Sequence, residues 1–244
     1  MKYLCCSLLL LVSNVALSQK SDLTTDYEFS SIELLIEQEV GRIVLPQIYQ
    51  NLGINIAVSP LPADRAQYVA NSGLKGGEIM RIWSYGKENS SLLRVATPYY
   101  KLETMAFILR GSGVEINKKE DLEKYRIAKV RGVKHTNNIT KWLPNVYNTT
   151  STQNMMNLLL KGKVDVALTN TLDGVTVIKR LGFSNIVPIE KSLATEPLYH
   201  YIHKKHRHLV PLVDNEIKRL KQSGKLEIMI KNAEKKVIEQ YDQA

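Results

Sequence analysis

One unit of sequence occurs twice and constrains what the rest of the chain can be. Leu158-Leu159-Leu160 closes an apolar helical stretch, Gly162 stops it, and Lys163-Val164-Asp165-Val166-Ala167-Leu168 leads through a charged corner towards Asn170. Glycine is favoured just past a helix end because it accepts the left-handed backbone conformation. Val-Asp-Val-Ala-Leu is too short and too β-branched for a new helix and reads as a buried strand. About ninety residues earlier the same grammar appears: helical Ala66 to Asn71, then Gly73, then Lys75-Gly76-Gly77-Glu78-Ile79-Met80-Arg81-Ile82. Two copies of helix, glycine corner, acid and strand predict two similar α/β lobes with a cleft between them.

The N-terminus reads as a leader rather than as part of that fold. Met1-Lys2 is basic, Tyr3 to Leu17 is mostly apolar, and Ala16-Leu17-Ser18 offers small residues to a signal peptidase. Residues 1–18 are therefore expected to be a signal peptide, cleaved after Ser18, with the protein exported to the periplasm. The apolar run is short for a membrane span of roughly 20 residues. Cleavage would remove Cys5 and Cys6, the only cysteines. That excludes disulfides and cysteine catalysis, and a disulfide-free exported protein suits a bacterial periplasm. The formal charge of +9 would suggest nucleic acid for an intracellular protein, but export and the lack of a basic–aromatic motif argue against that partner.

Between these landmarks, strands are expected at 27–32, 54–59, 92–96, 104–109, 126–130, 146–149, 185–189 and 199–203. Helices are expected at 34–52, 118–124, up to Trp142, 152–161, 174–181, 209–221 and 226–241. Gly41 and Pro46 make an unbroken first helix doubtful, because an interior proline removes a hydrogen bond and clashes with the preceding turn. The strand–helix alternation at the start favours a parallel sheet.

Pro98-Tyr99-Tyr100, Arg131-Gly132, Gly162-Lys163-Val164-Asp165-Val166-Ala167 and Ser223-Gly224-Lys225-Leu226 come in a recognisable order. In these motifs the chain resembles the bacterial extracellular solute-binding proteins of family 3, the polar-amino-acid-type periplasmic binding proteins, as a divergent member. The resemblance implies a two-lobed α/β fold of the type II periplasmic-binding kind, two mixed sheets flanked by helices and hinged by two crossover strands. Lobe one would be 19–106 plus 194–244 and lobe two 107–193. It further implies a monomer that closes on a small solute and serves an inner-membrane ABC transporter, or a membrane sensor. Two positions depart from the family pattern. Ser90 stands where amino-acid-binding members carry a carboxylate-clamping Arg, and Asn170 where they carry an Asp for the amino group.

Ligands of open α/β sheets sit beyond the carboxyl ends of strands. That rule selects Arg81, at the end of the first repeat's strand, where an unpaired buried charge would be costly. Its partner is either Glu78 or Glu88 within the fold, or a ligand carboxylate, which guanidinium binds as a fork. Arg131 to Asn138 is the second candidate, a turn feeding a helix N-terminus with free N–H groups. Arg131 and His135 could add donors there, and family position favours Thr136 and Asn137. Trp83, Tyr85 and Tyr99 could floor the cleft or belong to the core, and Arg65 could face the cleft or solvent. His200, His203, His206 and His208 are interleaved with Lys204, Lys205 and Arg207, which suits a solvated corner better than a metal. No nucleophile elbow, metalloprotease helix or phosphate loop is present, so neither enzyme chemistry nor a cofactor is expected. Asp165 and Glu78 read as structural. The expectation is a solute-binding protein for an amino-acid-like or carboxylate-bearing ligand. The competing readings are a sensing or interaction module of the same fold and, last, a secreted small-acid dehydratase.

Overall fold

The computed structural model describes residues 25–242. The expected leader, its expected cleavage site and both cysteines lie outside the described residues. The first lobe opens with β1 (Tyr27–Ile32), α1 (Ile36–Gln50), β2 (Ile56–Leu61), α2 (Ala63–Asn71) and β3 (Gly77–Ile82). Then come α3 (Tyr85–Glu88), β4 (Leu92–Arg94) and the long β5 (Tyr100–Leu109). The second lobe contains β6 (Ile127–Val130), α4 (Lys134–Thr140), β7 (Val146–Thr149), α5 (Thr152–Leu160), β8 (Val166–Asn170), α6 (Thr171–Leu181) and β9 (Ile186–Pro188). The chain returns along β10 (Ala194–His203) and ends with α7 (Leu209–Gln222) and α8 (Lys225–Asp242).

The sheet order is β2-β1-β3-β10-β5-β8-β6-β7. Read from the two ends, it is the same arrangement twice. β1 lies between β2 and β3, parallel to both, and β6 lies between β7 and β8, parallel to both. Each trio is then flanked by one long antiparallel strand, β10 beside β3 and β5 beside β8. The repeated sequence unit is thus α2–β3 in one lobe and α5–β8 in the other. Gly73 and Gly162, which end its helices, both take positive φ (76° and 62°) as the sequence requires.

β5 and β10 pair with each other through Tyr100–Thr104 and Ala194–Leu198 and carry the chain between the lobes. Both strands begin earlier than the alternation suggested, at Tyr100 and Ala194, because this pairing supplies backbone partners before the apolar runs start. Helix α1 runs unbroken through Pro46. Val40, Val44, Leu45, Ile48 and Tyr49 are all buried, and that apolar face outweighs the one backbone bond the proline removes. His200 also departs from expectation. It is fully buried, with Nε2 2.9 Å from the Tyr49 hydroxyl and Nδ1 3.2 Å from the Glu78 carbonyl oxygen. His203 and His206 lie on the short turn after β10, and among the described residues no three His, Cys, Asp or Glu side chains converge on a metal position. None of the described helices is long and apolar enough to cross a membrane.

The first core packs β1, β3 and β10 against α1, α7 and α8 through Phe29, Val44, Ile79, Ile202, Val213 and Val237. The second centres on Phe107, Met155, Met156, Leu159 and Ala167. Within it, Gly174 of α6 lies so close to the Phe107 ring that an added Cβ would fall 2.1 Å from its Cζ. Gly174→Ala is therefore expected to destabilise the protein by about 1–3 kcal/mol, despite alanine's better helix propensity. Urea unfolding would check this, and an unchanged or raised midpoint would contradict it.

Candidate functional site between the lobes

The carboxyl ends of β1, β3, β6 and β8 face one another across the lobe boundary. An apolar cluster joins Ile32, Leu35 and Ala63 of the first lobe to Val130 and Val133 of the second. Beside it lies a cavity of about 20 Å³, lined by Ile32, Met80, Ile82, Leu102, Leu198 and Val133 together with Glu37, Gln38, Arg81, Lys134 and His135. That is room for about one water molecule.

A β-bulge aims Arg81 into this space. Glu78 pairs with Tyr201 and Arg81 with Tyr199, so two residues of β3, Ile79 and Met80, oppose the single His200. An extra residue in one strand re-aims the side chains that follow it. Met80 takes φ 50°, rare for a residue with a side chain. The bulge is held by side chains: Met80 N–H donates to the Tyr99 hydroxyl at 3.2 Å, and Gln38 Nε2 donates to the Met80 carbonyl at 3.2 Å. In a regular strand, residues three apart point to opposite faces. Here Glu78 and Arg81 share a face, and Arg81 Nη1 lies 3.4 Å from Glu78 Oε1. The Tyr85 hydroxyl donates to Glu78 Oε2, and the Arg81 guanidinium stacks 4.3 Å from the Tyr85 ring centroid. Burial raises the Glu78 pKa, and Arg81 and the Tyr85 hydroxyl oppose that shift.

Arg81 is 2% exposed, yet its Nε and Nη2 have no hydrogen-bond partner. Those atoms form the side-on edge of the guanidinium, the fork that matches a carboxylate. From the second lobe His135, 3% exposed, brings a third unpartnered polar atom, Nε2. Its Nδ1 lies 2.8 Å from the Thr104 hydroxyl. Burial first, and the Arg81 charge second, push the imidazole down to about 3, so it is neutral. Where Thr104 donates to Nδ1, Nε2 carries the proton and the site presents three donors to one small space; where Thr104 accepts, Nε2 presents a lone pair beside the two Arg81 donors.

Around that space, polar contacts tie the lobes together. Asn170 caps α6 by accepting the Asp173 N–H at 2.9 Å, and its Nδ2 donates to Glu37 Oε2 of α1 at 2.6 Å. Asp173 accepts from Thr169 at 2.8 Å, from Thr152, and from the Ile36 N–H at 3.4 Å. Burial, and Asp173 nearby, push Glu37 up to about 8, and burial pushes Asp173 up to about 6. Lys134 bonds Glu88, and Asn138 donates to Ser84 at 3.0 Å.

Of the ten candidates from sequence, three meet at this boundary: Arg81, His135 and Asn170. Tyr85 and Tyr99 are core residues whose hydroxyls support Glu78 and the bulge. Thr136 is buried and spends its hydroxyl on the Val133 carbonyl, and Asn137 accepts from Lys129. Trp83 is on the surface with Lys87 and Arg94 over its ring. Arg131 is exposed, and so is Arg65, which packs on Tyr68. Glu37, Gln38, Thr104 and Asp173 are additions. Glu37 was legible in principle as an acid on the buried stripe it shares with Val40, Val44 and Ile48 of α1.

Tyr99→Phe removes the acceptor for a buried N–H at the bulge. It is expected to cost about 1–3 kcal/mol in urea unfolding; a loss within error would show that the bulge stands without it.

No protein-family model matches the chain. An uncharacterized protein of Shewanella oneidensis is 27% identical over 196 residues, covering 77% of this chain and 73% of that protein. Among solved structures, the GluR0 ligand-binding core in complex with L-glutamate superposes with a TM-score of 0.72 at 14% identity, covering 86% of this chain and 98% of that one. A mutant of the arginine-binding protein ArgBP of T. maritima gives 0.69 at 14% identity, with 84% and 93% covered. A histidine kinase sensor domain similar to periplasmic binding proteins gives 0.66 at 16% identity, with 83% and 93% covered. These likenesses establish the two-lobed periplasmic-binding-protein-like fold.

Proposed function

We propose that the chain is a periplasmic solute-binding protein that captures a small carboxylate-bearing solute between its lobes and presents it to an inner-membrane ABC transporter. Lobe one is residues 19–106 with 194–244 and lobe two is 107–193, hinged at β5 and β10. One observation carries the reading: Arg81 Nε and Nη2 and His135 Nε2 are buried, unpartnered and turned to the same interlobe space. Buried polar groups normally find partners, and a carboxylate would satisfy both Arg81 nitrogens, and His135 Nε2 as well in its N–H tautomer. The two-lobed fold supports closure by hinge motion, although fold alone does not assign function.

The likeness to a histidine kinase sensor domain supports a second reading. In it the same site takes the same class of solute, and the change in lobe separation is read by a membrane partner.

The test is a thermal-shift screen over amino acids, small carboxylates, sugars and polyamines, with small-angle scattering on each hit. A solute at a hundred times its dissociation constant adds about 2.7 kcal/mol of stability. Carboxylate-bearing solutes alone are expected to stabilise the protein and change its radius of gyration. Stabilisation by none of them would sink the reading. Loss of cellular uptake of the hit on gene deletion separates transport from sensing.

A further inference from the structure

The polar atoms around the interlobe space divide unequally, and the imbalance bears on the solute. Among the residues that line it the unpartnered ones are nitrogens, Arg81 Nε, Arg81 Nη2 and His135 Nε2; Glu78 Oε1, also without a hydrogen bond, lies outside the lining and faces Arg81 Nη1 at 3.4 Å. The acceptors are spent. Glu37 takes its own backbone N–H and Asn170 Nδ2. Gln38 accepts the Ile32 N–H through Oε1 and donates through Nε2 to the Met80 carbonyl. Asn170 accepts from Asp173 N–H. Apart from Lys134, which bonds Glu88, the remaining wall is apolar: Ile32, Met80, Ile82, Leu102, Val133 and Leu198. A carboxylate meets both Arg81 donors there and, with His135 in the Nε2–H tautomer, a third; an ammonium group then meets no free acceptor in the lining and has a guanidinium as neighbour. Burying a charge without a partner is among the costliest events in a protein interior.

We infer that the solute is a short aliphatic monocarboxylate, an organic acid without an ammonium group, its carboxylate in the Arg81 fork and on His135 Nε2–H and its carbon tail against the apolar wall. This rests on the interlobe space being the solute site. The space as it stands holds about one water molecule, so any acid parts the lobes, and acids of two or three carbons part them least.

Propionate and L-alanine form the discriminating pair, since they differ only by the ammonium group. The full chain, labelled with ¹⁵N-arginine and ¹⁵N-histidine, is titrated with each at constant ionic strength, with sodium chloride as baseline. The reporters are the Arg81 Nε–H resonance, assigned by its loss in Arg81→Lys, and the imidazole nitrogens of His135, which remain available if that variant does not fold. Propionate is expected to shift both saturably, with alanine weaker by on the order of 100-fold. Alanine binding as tightly as propionate would overturn the inference and leave the carboxylate cleft standing. Silence of both reporters with both compounds would overturn the inference and the interlobe site together.

Discussion

Arg81→Ala is expected to abolish carboxylate binding and to destabilise the protein by about 3–5 kcal/mol, the cost of breaking a buried ion pair by removing one partner. The two losses have different origins. The first follows from the side-on edge of the guanidinium, whose Nε and Nη2 have no partner in the fold. The second follows from Glu78, which is fully buried and keeps only the Tyr85 hydroxyl once Nη1 is gone. Combining Arg81→Met with Glu78→Gln separates them. An apolar side chain of similar length facing an amide leaves no charge buried, so most of the stability should return while affinity does not. Urea unfolding reads the first quantity and calorimetric titration with propionate the second. A single variant that unfolds at the wild-type midpoint, or a double variant that binds propionate normally, would remove Arg81 from its assigned role.

The position of Arg81 was legible in the sequence, but its surroundings were not. The repeated unit pointed to β3 and β8 as equivalent strands, and ligands beyond strand ends pointed to residue 81. The bulge at Met80 was invisible because it depends on three partners far away in sequence: Gln38 in α1, Tyr99 before β5, and His200 opposite it in β10. Without the bulge, Glu78 and Arg81 would lie on opposite faces, so their pairing could not be derived from alternation. The aromatic candidates fell on the core side for a related reason. A tyrosine buried under a site and one lining it have the same local pattern, and only the partner of the hydroxyl distinguishes them. Asp173 was hidden by its position in the first turn of α6, where an acid reads as complementing the helix dipole. Its three donors come from α1, α5 and β8.

Stability is expected to fall as pH rises from about 6.5 to about 8, and Glu37→Gln is expected to flatten that fall. Burial pushes Glu37 up to about 8 and Asp173 up to about 6, each above the ordinary carboxylate range. Between the unfolded and folded values each of these two carboxyls holds its proton more tightly in the folded protein, so through them each step up in pH favours unfolding. The two carboxyls lie on opposite lobes and interact, so the apparent values belong to the pair. Surface carboxylates act in the opposite sense. Hydrogen bonds from Arg126 hold Asp165 low, and those from Arg219 hold Glu216 low. Their contribution fades as pH falls below the ordinary carboxylate range, and His135 and His200, which burial pushes down to about 3, favour unfolding increasingly below about pH 6.5, which sets the maximum at about pH 6.5. Above that maximum, the loss by about pH 8.5 is on the order of 2 kcal/mol for wild type. In Glu37→Gln the side chain still accepts from Asn170 but no longer titrates, so the fall above the maximum is largely lost. Because both groups sit where the lobes meet, the same charge should part the lobes before the chain unfolds. The radius of gyration of wild type is then expected to grow between about pH 6 and about pH 8.5, and that of the variant to grow less. Parallel profiles for the two proteins, in both stability and radius, would show that the interlobe carboxyls do not titrate in this range.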